Sequence, residues 1–404
     1  MRCYLVGGAV RDKLLGLPVE ERDWLVIGAS GDELTAMGYR QVGRDFPIFL
    51  HPETSEEYAL PRGAAATDGD NGEIASDLAC RDLTINAMAL TPEGTLIDPL
   101  GGKRDLEKRL LRHTPAFAED PVRVLRLARF AARLHGLGFT VADETRKLVR
   151  EMCRSGQLKS LVAERAWSEI GRALNEQYPV QFFETLRACG ALHAVLPELH
   201  NLYGVPQPEK HHPEIDTGIH TMMVLEQACR LSDEGATRFA ALVHDLGKGS
   251  TPKELWPGHI GHEERSVWLV TSLCARLRIP NNYRDLAVLV ARYHTHLHRA
   301  LELKPSTLLR TLMAVDALRR PERFEQFLLA CEADARGRKG LESRPYPQAD
   351  LFRFVRQKVA ELDLSGLYLD AEKKNNLPQL IERQRLRATK GARSAWQEQN
   401  PNAS

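Results

Sequence analysis

Residues 7–28 read GGAVRDKLLGLPVEERDWLVIG. Two glycines follow the apolar run CYLV, a short apolar helix is expected over 9–16, and Glu21 and Asp23 then stand two residues apart ahead of WLVIG. On a strand, side chains at i and i+2 point to the same face. Glu21 and Asp23 would therefore be neighbours, and paired like charges repel unless cations lie between them. Phosphoryl transfer with two Mg²⁺ ions is the usual setting for such a pair. Gly7 and Gly8 carry no side chains, so phosphate oxygens can approach backbone N–H groups near a helix N-terminus. Arg11 adds a fixed positive charge for them. A tight turn followed by a solvated strand edge would produce the same letters, and the diad alone does not decide between these readings.

The surrounding sequence extends the same pattern. Short β-type runs (CYLVGG, DWLVIG, YRQVG, IFLH, EEYAL, TLIDPL) fill the first hundred residues between Gly, Pro and Asp turns, with a second helix near 31–37. From about Asp105 the periodicity becomes helical and stays so. The expected class is α+β, with a mixed head and a mostly helical remainder. The expected segments are a head over 1–104, a neck over 105–172, a helical body and linker over 173–216, a helical metal-type domain over 217–318 and a helical tail over 319–404. The polar terminus QEQNPNAS is expected to be disordered.

Composition narrows the function classes. The 404 residues exceed one ordinary core. The sequence contains no uninterrupted apolar run of membrane-spanning length, and MRCYLVGG is too short for a secretory signal, so a cytoplasmic protein without a membrane partner is expected. Seven cysteines are scattered singly with no CxxC spacing, which argues against a disulfide framework or zinc finger. Net charge is only +1, so a polyanionic partner would be signalled by where the charges sit rather than by their sum.

Two further constellations carry chemistry. In EDPVRVLRLARFAAR, residues Glu119, Asp120, Arg123, Arg126, Arg129 and Arg133 recur at spacings of three and four and form one stripe of a helix. A solvated charged face would look similar, yet Asp120 with Arg123 pairs a carboxylate acceptor with a planar donor fork able to read the edge of a base. Farther along, His220, the adjacent His244 and Asp245, His259 and His262, and Asp316 follow one another in a helical block. Adjacent His and Asp do not share one helix face, and imidazole with carboxylate suits a first-row divalent cation held between helices.

Taken with RDLTINAMAL at 81–90 and IDPLGG…DL at 97–106, the opening stretch resembles the class II tRNA nucleotidyltransferase family, the CCA-adding enzymes and their poly(A) polymerase relatives. The resemblance implies a polymerase-β-like head, with Gly8 and Arg11 at the triphosphate and Glu21 and Asp23 as catalytic acids holding Mg²⁺. Glu21 replaces the family's usual Asp. Glu57 sits where a third acid can lie. Arg81 is implied to contact nucleotide, while Cys80 stands where the family has an arginine. Asp120 and Arg123 are implied to select CTP and then ATP in place of a template, Arg126 and Arg129 to contact nucleotide, and Glu164, Arg165 and Glu169 to brace the template helix. The stretch PRGAAATDGDNGEIASDLAC at 61–80 departs from the family's basic, aromatic loop, so terminal A addition is expected to be affected.

The order H…HD…D resembles the HD-domain metal phosphohydrolases. It implies His220, His244, Asp245 and Asp316 as ligands of Ni²⁺ or another divalent transition metal, with phosphatase and 2′,3′-cyclic phosphodiesterase activity. The partners implied are tRNA, CTP and ATP, and the chain is expected to be a monomer or homodimer. The rival readings are a poly(A) polymerase-like enzyme and an RNA-binding protein with an impaired head.

Overall fold

A computed structural model describes residues 1–42, 48–62, 69–210, 213–365, 367 and 376–402, and the chain divides into two units, Met1–Val195 and Leu196–Ser404. In the first, β1 (Arg2–Val6) pairs antiparallel with β2 (Asp23–Ile27), placing Val6 opposite Asp23. The connection between them holds α1 (Gly8–Leu14). Next come α2 (Gly31–Ala36), β3 (Arg40–Val42), β4 (Ile48–Leu50), β5 (Glu57–Ala59), α3 (Gly69–Ala79), β6 (Ala89–Leu90) and β7 (Leu96–Ile97). The seven strands form one mixed sheet in the order β3-β4-β5-β2-β1-β6-β7, with β2 and β5 parallel.

The strand period of two builds both faces of this sheet. Leu25 and Ile27 join Tyr4, Val6, Ile74 and Leu78 on the side covered by α3, while Val26 joins Leu34 and Phe49 on the other. Asp23 has the parity of Leu25 and Ile27 and lies at the strand's start, where the apolar run ends. The strand begins at Asp23, so Glu21 lies in the segment before it and not on the strand as the i, i+2 spacing suggested. Within 61–80, read from sequence as a loop, residues 69–79 are helical and bury Ile74, Asp77 and Leu78; residues 63–68 lie outside the described set.

Helices then take over, as expected. They are α4 (Gly102–Glu107), α5 (Val122–Arg133), α6 (Asp143–Arg154), α7 (Ala163–Asn175), α8 (Val180–Ala188) and α9 (Leu192–Val195), with a small parallel pair β8 (Leu110–Leu111) and β9 (Thr140–Val141). The motif IDPLGG…DL is scaffolding. The Asp98 carboxylate accepts from the N–H groups of Gly102 at 2.7 Å and Lys103 at 2.9 Å and so caps α4. Fully buried Asp105 accepts from Thr84 Oγ1 at 2.7 Å and Arg112 Nε at 2.9 Å, which pins the RDLTINA segment.

The second unit contains α10 (Pro197–His200), α11 (Thr217–Leu231), α12 (Gly235–Val243), α13 (His262–Arg276), α14 (Asn281–His298), α15 (Pro305–Ala314), α16 (Pro321–Arg336), α17 (Pro347–Ala360) and α18 (Leu377–Gln399). Asp216 caps α11 by accepting from Ile219 N–H at 2.9 Å. Every residue of α12 is buried, and this helix packs against α11, α14 and α16. Of the terminal QEQNPNAS, Gln397–Gln399 belong to α18, in which Trp396 is buried, and residues 403–404 lie outside the described set; Arg393 donates to the carbonyls of Leu301 and Leu303. Burial of the indole offsets the polarity of QEQ. Among the described residues no helix is long and apolar enough to cross a membrane.

Candidate active sites

A cleft of about 1490 Å³ opens in the first unit, lined by Gly7, Gly8, Glu21, Asp23, Glu57 and a row of arginines. Gly7 has φ +71°, and a Cβ there would stand 2.8 Å from Arg81 Nη1 and 3.7 Å from Asp23 Oδ2. Only glycine lets the backbone turn at this point without closing the cleft. Register places Asp23 beside Glu57 across the parallel β2–β5 pair. Burial pushes the Asp23 carboxyl above its ordinary value, with Arg81 opposing and Glu21 adding to the rise. Burial, then the Asp23 and Glu21 charges, push Glu57 the same way. Asp23 and Glu57 thus each raise the other's carboxyl toward the protonated form.

A ladder of arginines lines the same cleft, and Arg126, Arg129 and Arg133 are each held by an acid. Arg126 Nε donates to Asp82 at 2.7 Å, Arg129 Nε to Glu169 at 2.6 Å, and Arg133 Nη2 to Asp12 at 3.1 Å. Burial alone would raise the Asp82 carboxyl, but Arg126 and the Asn86 amide beside it hold it below its ordinary value. Arg81 donates from Nε and Nη2 to Asp77 at 3.1 and 3.0 Å. Arg11 is 2% exposed and already neutralised: it grips both oxygens of Asp12 at 2.8 and 2.9 Å, donates to Asn86 at 2.7 Å and lies over the Phe130 ring. It lines the cleft beside Gly8.

Asp120 does not lie on the helical stripe. Its backbone is extended, α5 begins at Val122, and the carboxylate accepts from Val122 N–H at 3.1 Å. Arg123, one turn on, donates to the carbonyls of Ala116 and of Cys80, the latter at 2.6 Å. Arg165 and Glu169 of α7 both reach this region, Arg165 to Asp120 and Glu169 to Arg129. Gly8, Arg81, Asp120, Arg123, Arg126 and Arg129 all line the one cleft with Glu21 and Asp23.

The second unit brings histidines and aspartates together between α11, α12, α13, α14 and α16. Four imidazoles are bonded through Nδ1 to backbone carbonyls: His220 to Gly337 at 2.9 Å, His244 to Ala241 at 2.7 Å, His262 to His259 at 3.1 Å and His294 to Val290 at 3.0 Å. A carbonyl only accepts, so Nδ1 carries the hydrogen and each Nε2 presents its lone pair inward. These lone pairs meet carboxylate oxygens. His220 Nε2 is 3.0 Å from Asp334 Oδ1, His244 Nε2 is 3.1 Å from Asp245 Oδ2, and His262 and His294 Nε2 lie 3.2 and 3.5 Å from Asp245 Oδ1. His244 Nε2 and Asp245 Oδ1 are buried without a hydrogen bond. Facing acceptors of this kind require a proton or a cation between them. Burial would lower the His244 pKa, but Asp245 and Asp334 raise it to about 10, whereas burial pushes His294 down to about 3. Three overlapping groups could each hold an ion: His220–His244–Asp245, His244–His294–Asp334 and Asp245–His262–His294.

Asp316 is not brought to this cluster. It sits in the turn between α15 and α16 at φ +59°, where Arg319 donates to it at 2.6 Å and Arg320 and Arg323 lie 3.6 Å away. Asp334 of α16 does lie in the cluster, its Oδ1 3.0 Å from His220 Nε2.

The head region, residues 3–112, matches the family model described as poly A polymerase head domain. Residues 138–203 match the probable RNA and SrmB-binding site of polymerase A, and 217–320 match the HD domain. The multifunctional CCA protein of Thioalkalivibrio sulfidiphilus is 57% identical over 98% of this chain and 100% of its own length. That of Pseudomonas fluorescens is 53% identical over 99% and 100%. The chain belongs to the multifunctional CCA protein family. A solved CCA-adding enzyme in complex with CTP superposes with a TM-score of 0.66 at 19% identity, covering 96% of this chain and 87% of that one. The Thermotoga maritima CCA-adding enzyme complexed with tRNA gives 0.65 at 20% identity over 96% and 87%. These two likenesses speak to the fold.

This CCA protein is thus a tRNA nucleotidyltransferase with an HD domain, and a His/Asp cluster lies in and beside that domain. Sequence reasoning missed His294, His298 and Asp334. His294 and His298 are four apart in YHTHLH on one face of α14, a spacing that could have exposed them. Asp334 stands in the apolar run FLLACEADARG, where a buried acid needs a partner. It also lies beyond the HD match, which ends at 320.

Proposed function

We propose that this CCA protein adds C, C and A to tRNA 3′ ends from CTP and ATP without a nucleic-acid template, and that its HD cluster hydrolyses phosphate esters, including 2′,3′-cyclic phosphodiesters. The observation that carries the first part is a single cleft lined by three carboxylates, a glycine turn and an arginine ladder. Glu21 and Asp23, with Glu57 adjoining, would hold Mg²⁺; His220, His244, Asp245 and Asp334 would hold Ni²⁺ or another divalent transition metal. When bound, such cations supply Lewis acidity toward the attacking oxygen and the leaving group. The Gly7–Gly8 turn admits the triphosphate, and Arg81, whose Nη1 faces Gly7, offers it positive charge. Asp120 and Arg123 meet the base, one accepting and one donating. Arg126 and Arg129, braced by Asp82 and Glu169, keep the wall rigid, so selection costs little reorganisation. In the second unit Lys248, 2.6 Å from Asp245 Oδ2, adds a cation beside the cluster.

The test is incubation of the protein with tRNA lacking CCA, Mg²⁺ and each nucleotide. Two C additions followed by one A support the reading; extension with ATP alone favours the poly(A) polymerase alternative. Release of nucleotide monophosphate from a 2′,3′-cyclic phosphate with Ni²⁺ tests the hydrolase.

A further inference from the structure

His298 departs from the arrangement of His220, His244, His262 and His294, whose Nδ1 atoms bond backbone carbonyls. His298 follows His294 by one helical turn on α14, yet its Nδ1 bonds no carbonyl. It lies 2.7 Å from the hydroxyl of Tyr346, while Nε2 lies 2.6 Å from Asp334 Oδ2. A carboxylate only accepts, so His298 Nε2 carries the hydrogen and donates to Asp334. In the neutral ring Nδ1 then accepts, and a phenol that holds its proton far above neutral pH is the matching donor. The result is a directed chain, Tyr346 O–H to His298 Nδ1, then His298 Nε2–H to Asp334 Oδ2. Asp334 Oδ1 faces His220 Nε2 at 3.0 Å, and Oδ2 lies 3.6 Å from His244 Nε2.

We infer that Tyr346 and His298 are positioning residues for the HD cation, fixing the orientation of the Asp334 carboxylate rather than binding the ion. This rests on the reading of the cluster as a metal site. Asp334 is 3% exposed and Tyr346 is 9% exposed, so both ends of the chain are shielded from competing water, while the His298 side chain between them is 20% exposed. Tyr346 immediately precedes α17 and His298 closes α14. Asp334, on the last turn of α16, is therefore held through side chains from two other helical segments. A ligand carboxylate free to rotate would spend part of its time with the wrong oxygen inward. Donors of this outer kind are worth roughly ten- to a hundredfold in metal affinity.

The experiment titrates metal-free full-length protein with Ni²⁺ alone, by calorimetry and by competition with a chromogenic chelator. Five forms are compared: parent, Tyr346→Phe, His298→Ala, His298→Gln and the double variant that combines His298→Ala with Tyr346→Phe. Tyr346→Phe deletes one oxygen from a buried ring and should raise the Ni²⁺ dissociation constant at least tenfold, leaving CCA addition and the far-ultraviolet spectrum as in the parent. His298→Ala should weaken binding at least as much, and adding Tyr346→Phe to it should change nothing further, because the phenol acts only through the imidazole. His298→Gln, which can still accept and donate in sequence, should recover part of the affinity. The inference fails if Tyr346→Phe binds Ni²⁺ within twofold of the parent, or if the two losses multiply in the double variant. A parent that takes up no Ni²⁺ would remove the metal reading itself, an outcome distinct from a parent that binds alongside an indifferent Tyr346→Phe.

Discussion

The carboxylate of Asp120 is clasped by the guanidinium of Arg165, Oδ2 lying 2.6 Å from Nη2 and Oδ1 3.2 Å from Nη1. The residue proposed to read the base is thus oriented by α7. A bidentate pair fixes both the position and the plane of the carboxylate. Asp120→Ala should relax discrimination among CTP, ATP, GTP and UTP while triphosphate binding persists. Arg165→Lys keeps the charge but loses the fork and should do the same more weakly, by about five- to tenfold in the ratio of correct to incorrect nucleotide. Single-nucleotide incorporation kinetics measure both; equal loss with all four nucleotides would count against base reading.

Asp23 sits next to Glu57 in the β2–β5 register, where burial and Glu21 push its carboxyl upward. Asp23→Asn preserves shape and removes charge. CTP incorporation should fall at least a hundredfold, and thermal stability should hold or rise because a like-charge contact is relieved. Near-parental incorporation by the folded variant would refute the metal role.

Acid should loosen the head through Asp82. Its folded-state pKa lies below its ordinary value because, against the cost of burial, Arg126 and Asn86 hold the charged form. The contribution is therefore complete above about pH 4 and is lost as pH falls through the lower folded value. Denaturant midpoints for Asp82→Asn should be lower than the parent's at pH 7 and converge with them in strong acid.

Asp334 and Asp316 make opposite forecasts. Asp334→Asn should reduce Ni²⁺ affinity at least a hundredfold and abolish cyclic phosphate hydrolysis, whereas Asp316→Asn should leave both within twofold. His244→Ala with Asp245→Ala should likewise abolish hydrolysis and leave CCA addition near its parental rate. Hydrolysis surviving the loss of Asp334 would displace it from the ligand set.

Gly247 lies where the HD turn meets α13: a Cβ there would stand 2.2 Å from the His262 carbonyl and 2.5 Å from Ser266 N. Gly247→Ala should cost about 1–3 kcal/mol in stability and displace His262, lowering hydrolysis at least tenfold. Urea unfolding and the cyclic phosphate assay read the two effects separately.

The head was legible because its signals are local. The alternation in DWLVIG sets one sheet face, and the Gly-Gly turn and the acids lie within twenty residues of each other. Asp120 and Arg123 announced themselves by spacing, but the partners that saturate Arg11 and Arg129 did not. Asp12 and Asn86 become visible only when α1, the RDLTINA segment and α5 meet, whereas Glu169 was signalled by the family resemblance alone. The HD cluster was half legible. His244 and Asp245 are adjacent, an arrangement packing alone does not favour. Asp316 was implied by the H…HD…D order, and sequence order carries no information about burial. The arginines at 319, 320 and 323 were the sign that Asp316 already had partners.

The Arg393 contacts make the far end of α18 a distant guarantor of the clustered histidines. Its guanidinium ties α18 to the carbonyls of Leu301 and Leu303, three and five residues beyond His298. Proteolysis or a stop codon upstream of Arg393 would leave every ligand present while unfastening the end of the helix that carries His294 and His298. Such a truncated protein would resemble an active-site mutant in its hydrolysis while its head kept building tRNA ends, and the lesion would be sought in the wrong hundred residues.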